Sequence, residues 1–270
     1  MSMLRYPVLL VHGMGFRDDL RIGYWGRIPK ALQAAGCRIY FGHQDSNASI
    51  EANAEHIAAA IENILAETGA EKVNIIAHSK GGLDSRYAIS TLGMGESVAS
   101  LTTLSTPHHG SKTVDKLLRF PDPLVRLAGF CADCWFRLLG DKQPSSYKVF
   151  HQFSTPVAAQ FNEQNPDYPG TYYQSYAFVM KNGFSDILMW LPHWIVKTIE
   201  GDNDGLLTPA SAAWGNFQGV YCGAKNRGIS HCDEVDLRRR PLCKQRSAQG
   251  VADMVDVYMG IVSHLADMGF

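Results

Sequence analysis

No stretch of this sequence is long and apolar enough to span a bilayer. The longest apolar segment, Phe184 to Ile199, is broken by Asp186, Pro192, His193 and Lys197, and it falls short of the ~20 residues a spanning helix needs. No secretory leader is visible either. The run Val8 to Val11 is too short for a leader's apolar core and passes straight into His12-Gly13. The expectation is therefore a soluble, cytoplasmic protein, or a secreted one if a leader has been removed. Charge of one sign is missing too: the net charge is −1, so there is no basic excess to hold phosphates and no nucleic-acid partner is expected. Internal repeats and low-complexity segments are absent. The six cysteines are expected as reduced thiols in a chain without a leader. Cys131-x-x-Cys134 is half of a zinc site without a second pair at metal-site spacing, and its flanks (Phe-Cys-Ala-Asp-Cys-Trp-Phe) read as a helix face.

What is present is enough apolar material for a large core. Apolar residues make up 46% of 270 residues, which fits a single α/β domain over 1–270. Continuous apolar runs predict buried strands at Pro7–Val11 and Val73–Ala77, with further strands at Arg38–Phe41, Val98–Leu104 and Tyr172–Val179. Helical spacing predicts helices over Ile28–Ala35, Ser49–Thr68 (Gly69 closing its C-terminus), Lys80–Leu92 and Ala248–Met268. Strands alternating with helices imply a mostly parallel central sheet flanked by helices. Two apolar stretches, Leu117–Phe153 and Phe184–Ile199, interrupt the rhythm. They read either as ordinary core helices or as a cap that forms an apolar acyl-binding cleft.

The chemistry centres on Asn74-Ile75-Ile76-Ala77-His78-Ser79-Lys80-Gly81-Gly82. A buried strand runs into a tight turn with Ser79 at its tip, then into a helix. This is the setting of a nucleophile elbow, whose strained turn demands small neighbours. Gly81 meets that demand on one side. On the other, Ala77 stands where the G-x-S-x-G pattern has glycine. A serine hydroxyl needs a base, and in this arrangement the chain order is serine, acid, histidine. His231 lies in a polar loop before the last helix, Gly228-Ile229-Ser230-His231-Cys232-Asp233-Glu234-Val235. His108 and His109 come too early, His193 lies in an apolar stretch and His264 lies within a helix. The acid falls in the loop Glu200-Gly201-Asp202-Asn203-Asp204-Gly205, where Asp204 is the leading candidate and Asp202 its rival. It would fix the imidazole tautomer and stabilise the imidazolium. Asp84, in the helix after the elbow, reads as a structural ion-pair or cap partner. Oxyanion stabilisation needs two backbone N–H groups. Lys80 follows the nucleophile directly, and Met14 lies in the glycine-flanked loop after the first strand.

Five blocks then resemble a known family. Tyr6-Pro7-Val8-Leu9-Leu10-Val11-His12-Gly13-Met14-Gly15-Phe16, Ala77-His78-Ser79-Lys80-Gly81-Gly82-Leu83-Asp84-Ser85-Arg86-Tyr87, Thr106-Pro107-His108-His109-Gly110-Ser111, Asn203-Asp204-Gly205-Leu206 and His231-Cys232-Asp233-Glu234-Val235 are similar, in order, to the bacterial true lipases of the Pseudomonas, Burkholderia and Proteus type. The resemblance implies an α/β-hydrolase fold and a triacylglycerol lipase or carboxylesterase using Ser79, Asp204 and His231. It also implies Met14 and Lys80 as oxyanion donors and a helical lid, expected at 112–165. It implies an ester or lipid substrate met at a lipid–water interface, with no cofactor in the chemistry itself. Many such lipases hold a structural calcium ion that braces the histidine loop. Asp233 matches one ligand, and Asp186 is the nearest candidate for the other. The chain departs from the family in three ways. No leader is visible, Thr208-Pro209-Ala210-Ser211 has no cysteine for the disulfide some members carry near the acid, and the chain is short of a large lid. Two other readings use the same residues: an acyl thioesterase or acyltransferase with this triad, and a non-catalytic lipid-binding protein.

Overall fold

A computed structural model describes residues 4–15, 17–18, 23–224, 226–243 and 250–270. Six parallel strands form one sheet in the order β2-β1-β3-β4-β5-β6. The strands are β1 (Val8–Val11), β2 (Ile39–Phe41), β3 (Val73–His78), β4 (Val98–Leu104), β5 (Tyr172–Val179) and β6 (Asn216–Cys222). Every residue of β1, β3 and β4 is buried, as expected for parallel strands covered on both faces.

Alternation along β1 divides the core in two. Val8 and Leu10 face a cluster with Ile28 and Leu32 of α1 (Ile28–Ala34) and with Tyr258, Ile261 and Leu265 of the last helix. Leu9 and Val11 face the opposite cluster. It holds Ile57, Ile61 and Ile64 of α2 (Ile50–Thr68) and Ala88 and Ile89 of α3 (Lys80–Ser90). The Ser49 side chain caps α2 through the Ala52 amide, and Gly69, left-handed at φ 66°, closes the other end.

Between β4 and β5 lie α4 (Lys112–Leu117), α5 (Asp122–Leu138), α6 (Ser146–Gln152) and α7 (Thr155–Gln164). The remaining helices are α8 (Trp190–Ile199), α9 (Pro209–Ala212) and α10 (Met254–Asp267). Thus Leu117–Phe153 is helical outside the sheet, and α5 turns large apolar side chains outward. No described helix is long and apolar enough to cross a membrane.

Two expectations shift. The last helix begins at Met254, capped by Asp253, and not at Ala248, which lies outside the described residues. The reason is that Val251 is bridged to Gly223: its N–H donates to the Cys222 carbonyl and its own carbonyl accepts from Ala224. Those backbone groups are committed before a helix can start. The second shift is the added edge strand β6, half exposed and bent at Gly219 (φ 102°), whose register against β5 slips between Ser175 and Ala177. The bulge destroys the two-residue alternation that marks a strand.

Candidate active site

The loops that follow β1, β3, β4, β5 and β6 gather at the carboxyl edge of the sheet, where open parallel sheets hold their ligands. β3 ends at His78 and α3 starts at Lys80, so a single residue makes the turn. That residue is Ser79, at φ 54° and ψ −131°. Such a conformation is costly for a residue with a Cβ and persists only where the surroundings enforce it. Here they do. The Ser79 amide donates to the Leu104 carbonyl, and its carbonyl accepts from Thr106 Oγ1 at 2.7 Å. Gly81 lies against the β1 backbone: a Cβ there would stand 2.5 Å from the His12 carbonyl and 2.7 Å from that of Val11. Gly13 passes so close that an added Cβ would stand 2.6 Å from the Ser79 Cβ.

Three side chains from distant segments meet at this turn. Ser79 Oγ lies 2.9 Å from His231 Nε2, and His231 Nδ1 lies 2.8 Å from Asp204 Oδ2. The amides of Leu206 and Leu207 each donate to Asp204 Oδ1 at 2.8 Å, and the His231 amide donates to the Asp204 carbonyl. Burial alone would raise the Asp204 pKa. The His231 charge and hydrogen bonds from His231, Glu234 and the Leu206 amide outweigh it and hold the carboxyl below the usual carboxylate range. The rival Asp202 is exposed and paired with Lys197. Met14 stands in the loop after β1, beside Gly13, and Lys80 is the first residue of α3. The arrangement can move a proton from a hydroxyl to an imidazole while a buried carboxylate fixes the tautomer.

Beneath these residues runs a polar network that sequence reasoning missed. The Gly13 amide donates to Tyr24 Oη at 2.9 Å, and Tyr24 Oη lies 2.6 Å from His78 Nδ1. His78 Nε2 lies 3.0 Å from Glu234 Oε2, and Ser105 Oγ donates to Glu234 Oε1 at 3.0 Å. Tyr24 Oη and His78 Nδ1 share one proton, and His78 Nε2 and Glu234 Oε2 share another, with the donor in each pair set by the His78 tautomer. Burial, reinforced by the nearby His231, pushes the His78 pKa well down. Burial and the adjacent Asp204 push Glu234 well up. Burial thus favours the uncharged form of both groups under the site. His78 and Glu234 are both inside the motifs, but no spacing rule links them to Tyr24 or to each other. Burial also pushes the Cys232 thiol up to about 12, so it stays neutral beside His231.

The other candidates find structural partners. Lys80 Nζ, buried, donates to Asp84 Oδ1 at 2.6 Å. His108 stacks on Trp214, and His193 Nδ1 lies 2.9 Å from Asn203 Oδ1. His264 sits beside Tyr172, and Cys131 and Cys134 are exposed on α5. Asp186 and Asp233 do come together, but their oxygens are taken. Asp186 Oδ2 accepts from Ser230 Oγ at 2.6 Å and lies 3.0 Å from Arg238 Nη2. Asp233 takes Arg227 Nη2 at 2.7 and 2.8 Å. A calcium ion needs six to eight oxygen ligands, and the carboxylate oxygens of both acids already bind guanidinium groups. This donor set does not fit the ion.

A strained serine between a parallel strand and a helix, joined to a histidine and a buried acid at the strand ends, defines an α/β hydrolase in its architecture. The chain belongs to the alpha/beta hydrolase fold family, whose model matches residues 6–195. It is 40% identical over 116 residues to a triacylglycerol lipase of Pseudarthrobacter phenanthrenivorans, covering 41% of this chain and 36% of that one. It thus spans about a third of the first curated relatives. Over 267 residues it is 27% identical to triacylglycerol lipase 2 of Saccharomyces cerevisiae, covering 94% of this chain and 77% of that one. In fold it is similar to the mature lipase BlEst2 of Bacillus licheniformis, with a TM-score of 0.68 at 21% identity over 95% of this chain and 91% of that one.

Proposed function

We propose that the protein is a carboxylic ester hydrolase acting on lipid-like esters through an acyl-enzyme at Ser79. The observation that carries this reading is the unbroken hydrogen-bond line Ser79–His231–Asp204. His231 Nε2 takes the hydroxyl proton as Ser79 Oγ attacks the ester carbonyl. The amides of Met14 and Lys80 receive the oxyanion, and Asp204 holds the imidazolium. Collapse expels the alcohol, which carries away the proton from His231. Water, deprotonated by His231, then releases the acid and restores Ser79.

An apolar cavity of about 510 Å³ supports a lipid-like acyl group. Met14 lines it together with Leu117, Leu124, Phe136, Phe150 and Phe153, so it opens beside the proposed oxyanion loop. Its walls come from α4 to α6, inside 112–165, which we assign as the lid. The outward face of α5 is the surface this lid presents to a lipid–water interface, and the triacylglycerol lipases among the relatives agree with such a substrate.

The test is turnover of p-nitrophenyl esters of rising chain length beside acyl-CoA. Ser79→Ala is expected to lower ester turnover by about 10³-fold or more and to abolish fluorophosphonate labelling. Ester hydrolysis that survives Ser79→Ala ends the proposal. Turnover of acyl-CoA alone would move the chain to the thioesterases.

A further inference from the structure

The loop carrying His231 is held by four charged side chains. Asp186 follows the short turn Gly183–Ser185, and Asp233 stands two residues after His231. Both carboxylates are 2% exposed. Arg227 grips both oxygens of Asp233 and donates Nε to the Ser185 carbonyl at 3.1 Å. Arg238 lies between the acids, with Nη2 3.0 Å from Asp186 and Nε 3.6 Å from Asp233, and it donates to the same Ser185 carbonyl at 3.3 Å. The acids in turn pin Ser230. Its hydroxyl donates to Asp186, and its amide donates to Asp233 Oδ2 at 3.2 Å. The next residue is His231.

We infer that Arg238 and Arg227 do here what a divalent cation would do: they neutralise Asp186 and Asp233 and thereby fix the His231 loop without a metal. Two negative and two positive charges already balance within the cluster, and a further doubly charged ion would meet two guanidinium groups that do not lose their protons. Arg227 reaches both oxygens of Asp233 through Nη2 alone, and the planar guanidinium of Arg238 reaches two separate carboxylates through Nη2 and Nε. The energetic weight falls on keeping the set complete, because removing one member leaves a buried charge unpaired. Arg238 is thus a positioning residue: it touches neither Ser79 nor a substrate and acts through Ser230 and Asp233 on the imidazole. The inference builds on His231 being the base.

Two measurements test it. In the wild-type protein, EDTA or millimolar calcium is expected to leave both the melting temperature and kcat for p-nitrophenyl butyrate unchanged. In Arg238→Ala, kcat is expected to fall roughly ten- to a hundredfold because the base is misplaced, with KM within about twofold of wild type. Amide hydrogen exchange across Ser230–Asp233 is expected to quicken in the same variant. The inference is overturned if chelation lowers the wild-type melting temperature or kcat and calcium restores it. It is equally overturned if Arg238→Ala keeps wild-type exchange and kcat. Should Arg238→Ala not fold, Arg227→Ala is read the same way, and the chelator arm stands alone. Quickened exchange in a protein that hydrolyses no ester would retain the clamp and reject only the ester-hydrolase reading.

Discussion

Asp204 and Glu234 approach the same imidazole, at 2.8 Å and 3.9 Å from His231 Nδ1, yet their pKa values shift in opposite directions. Asp204 has the charge and hydrogen bonds that favour ionisation, and its pKa is depressed on folding. It stabilises the fold above the unfolded carboxylate pKa of about 3.9, and that contribution is lost as pH falls toward its folded value. Glu234 is raised, first by burial and then by Asp204. Its contribution is complete below the unfolded pKa of about 4.3 and is lost as pH rises toward the folded value. In that window the native state holds a proton the unfolded chain has released, so stability declines by up to about 1.4 kcal/mol per pH unit. Glu234→Gln keeps the size of the side chain and removes the titration. Urea denaturation from pH 4 to 8 is expected to show the variant gaining on the wild type as pH rises and converging with it at pH 4. Parallel curves would mean that Glu234 is ionised in the native protein. Asp204→Asn, in contrast, is expected to lower kcat by about 10⁴-fold while leaving the fold intact, because the imidazole loses its enforced tautomer; steady-state kinetics beside a melting curve checks both halves. The sequence-readable part at this scale was the order of Ser79, Asp204 and His231, since each lies in a local pattern. The raised pKa of Glu234 was not readable, because it depends on burial in the folded core and on Asp204 arriving from another strand end.

At the scale of elements, the turn between β3 and α3 sets how closely the helix can lie against the sheet. Gly81 is the contact point, and the atoms a Cβ would meet are backbone carbonyls of His12 and Val11, which cannot rotate aside. Gly81→Ala is therefore expected to cost about 1–3 kcal/mol and to reduce turnover by displacing Ser79 and Lys80. Gly260 in α10 is the opposite case: nothing lies within 4 Å of an added Cβ. Gly260→Ala is expected to raise stability by about 0.4–1 kcal/mol with unchanged activity. Paired chemical denaturation and kinetic measurements check both, and equal effects from the two changes would refute the close-approach argument. The same physics explains which elements could be read in advance. β4 and β5 are inner strands whose composition marks them, and they match residue for residue. The start of α10 is fixed by the bridge from Val251 to Gly223, and β6 by its pairing with β5. Both are long-range events that leave no periodicity in a local window.

Across the whole molecule, apolar side chains that would ordinarily be covered face solvent in two places. Leu127, Phe130, Trp135 and Leu138 project from α5, and Phe184, Ile187, Leu188, Leu191 and Trp194 project from α8 and the segment before it. The two places are joined through the fold. Glu200, which ends α8, accepts hydrogen bonds from Ser111 Oγ and the Thr113 amide at the start of α4, and α4 leads into α5. Exposed apolar area of this extent marks a place for a partner or ligand surface to cover. Under the proposed function a lipid aggregate would supply the cover, since it presents an apolar layer beside which the cavity would open. If this is so, catalysis and attachment are separable. Phe184 and Ile187, each 89% exposed, would then touch the aggregate and not the ester, so Phe184→Ser/Ile187→Ser is expected to leave kcat/KM for a soluble short-chain ester unchanged. Each lost apolar anchor costs about 1.5–3 kcal/mol of burial in the lipid layer, so partitioning onto phosphatidylcholine vesicles is expected to fall by tenfold or more. Turnover of an emulsified long-chain ester should fall with it. Co-sedimentation with vesicles, run beside both assays, separates the outcomes. A variant that binds vesicles as the wild type does would show that this face meets something other than lipid. A variant that loses short-ester turnover would show that the segment before α8 shapes the site itself, through Ser185 and Asp186, which hold the His231 loop.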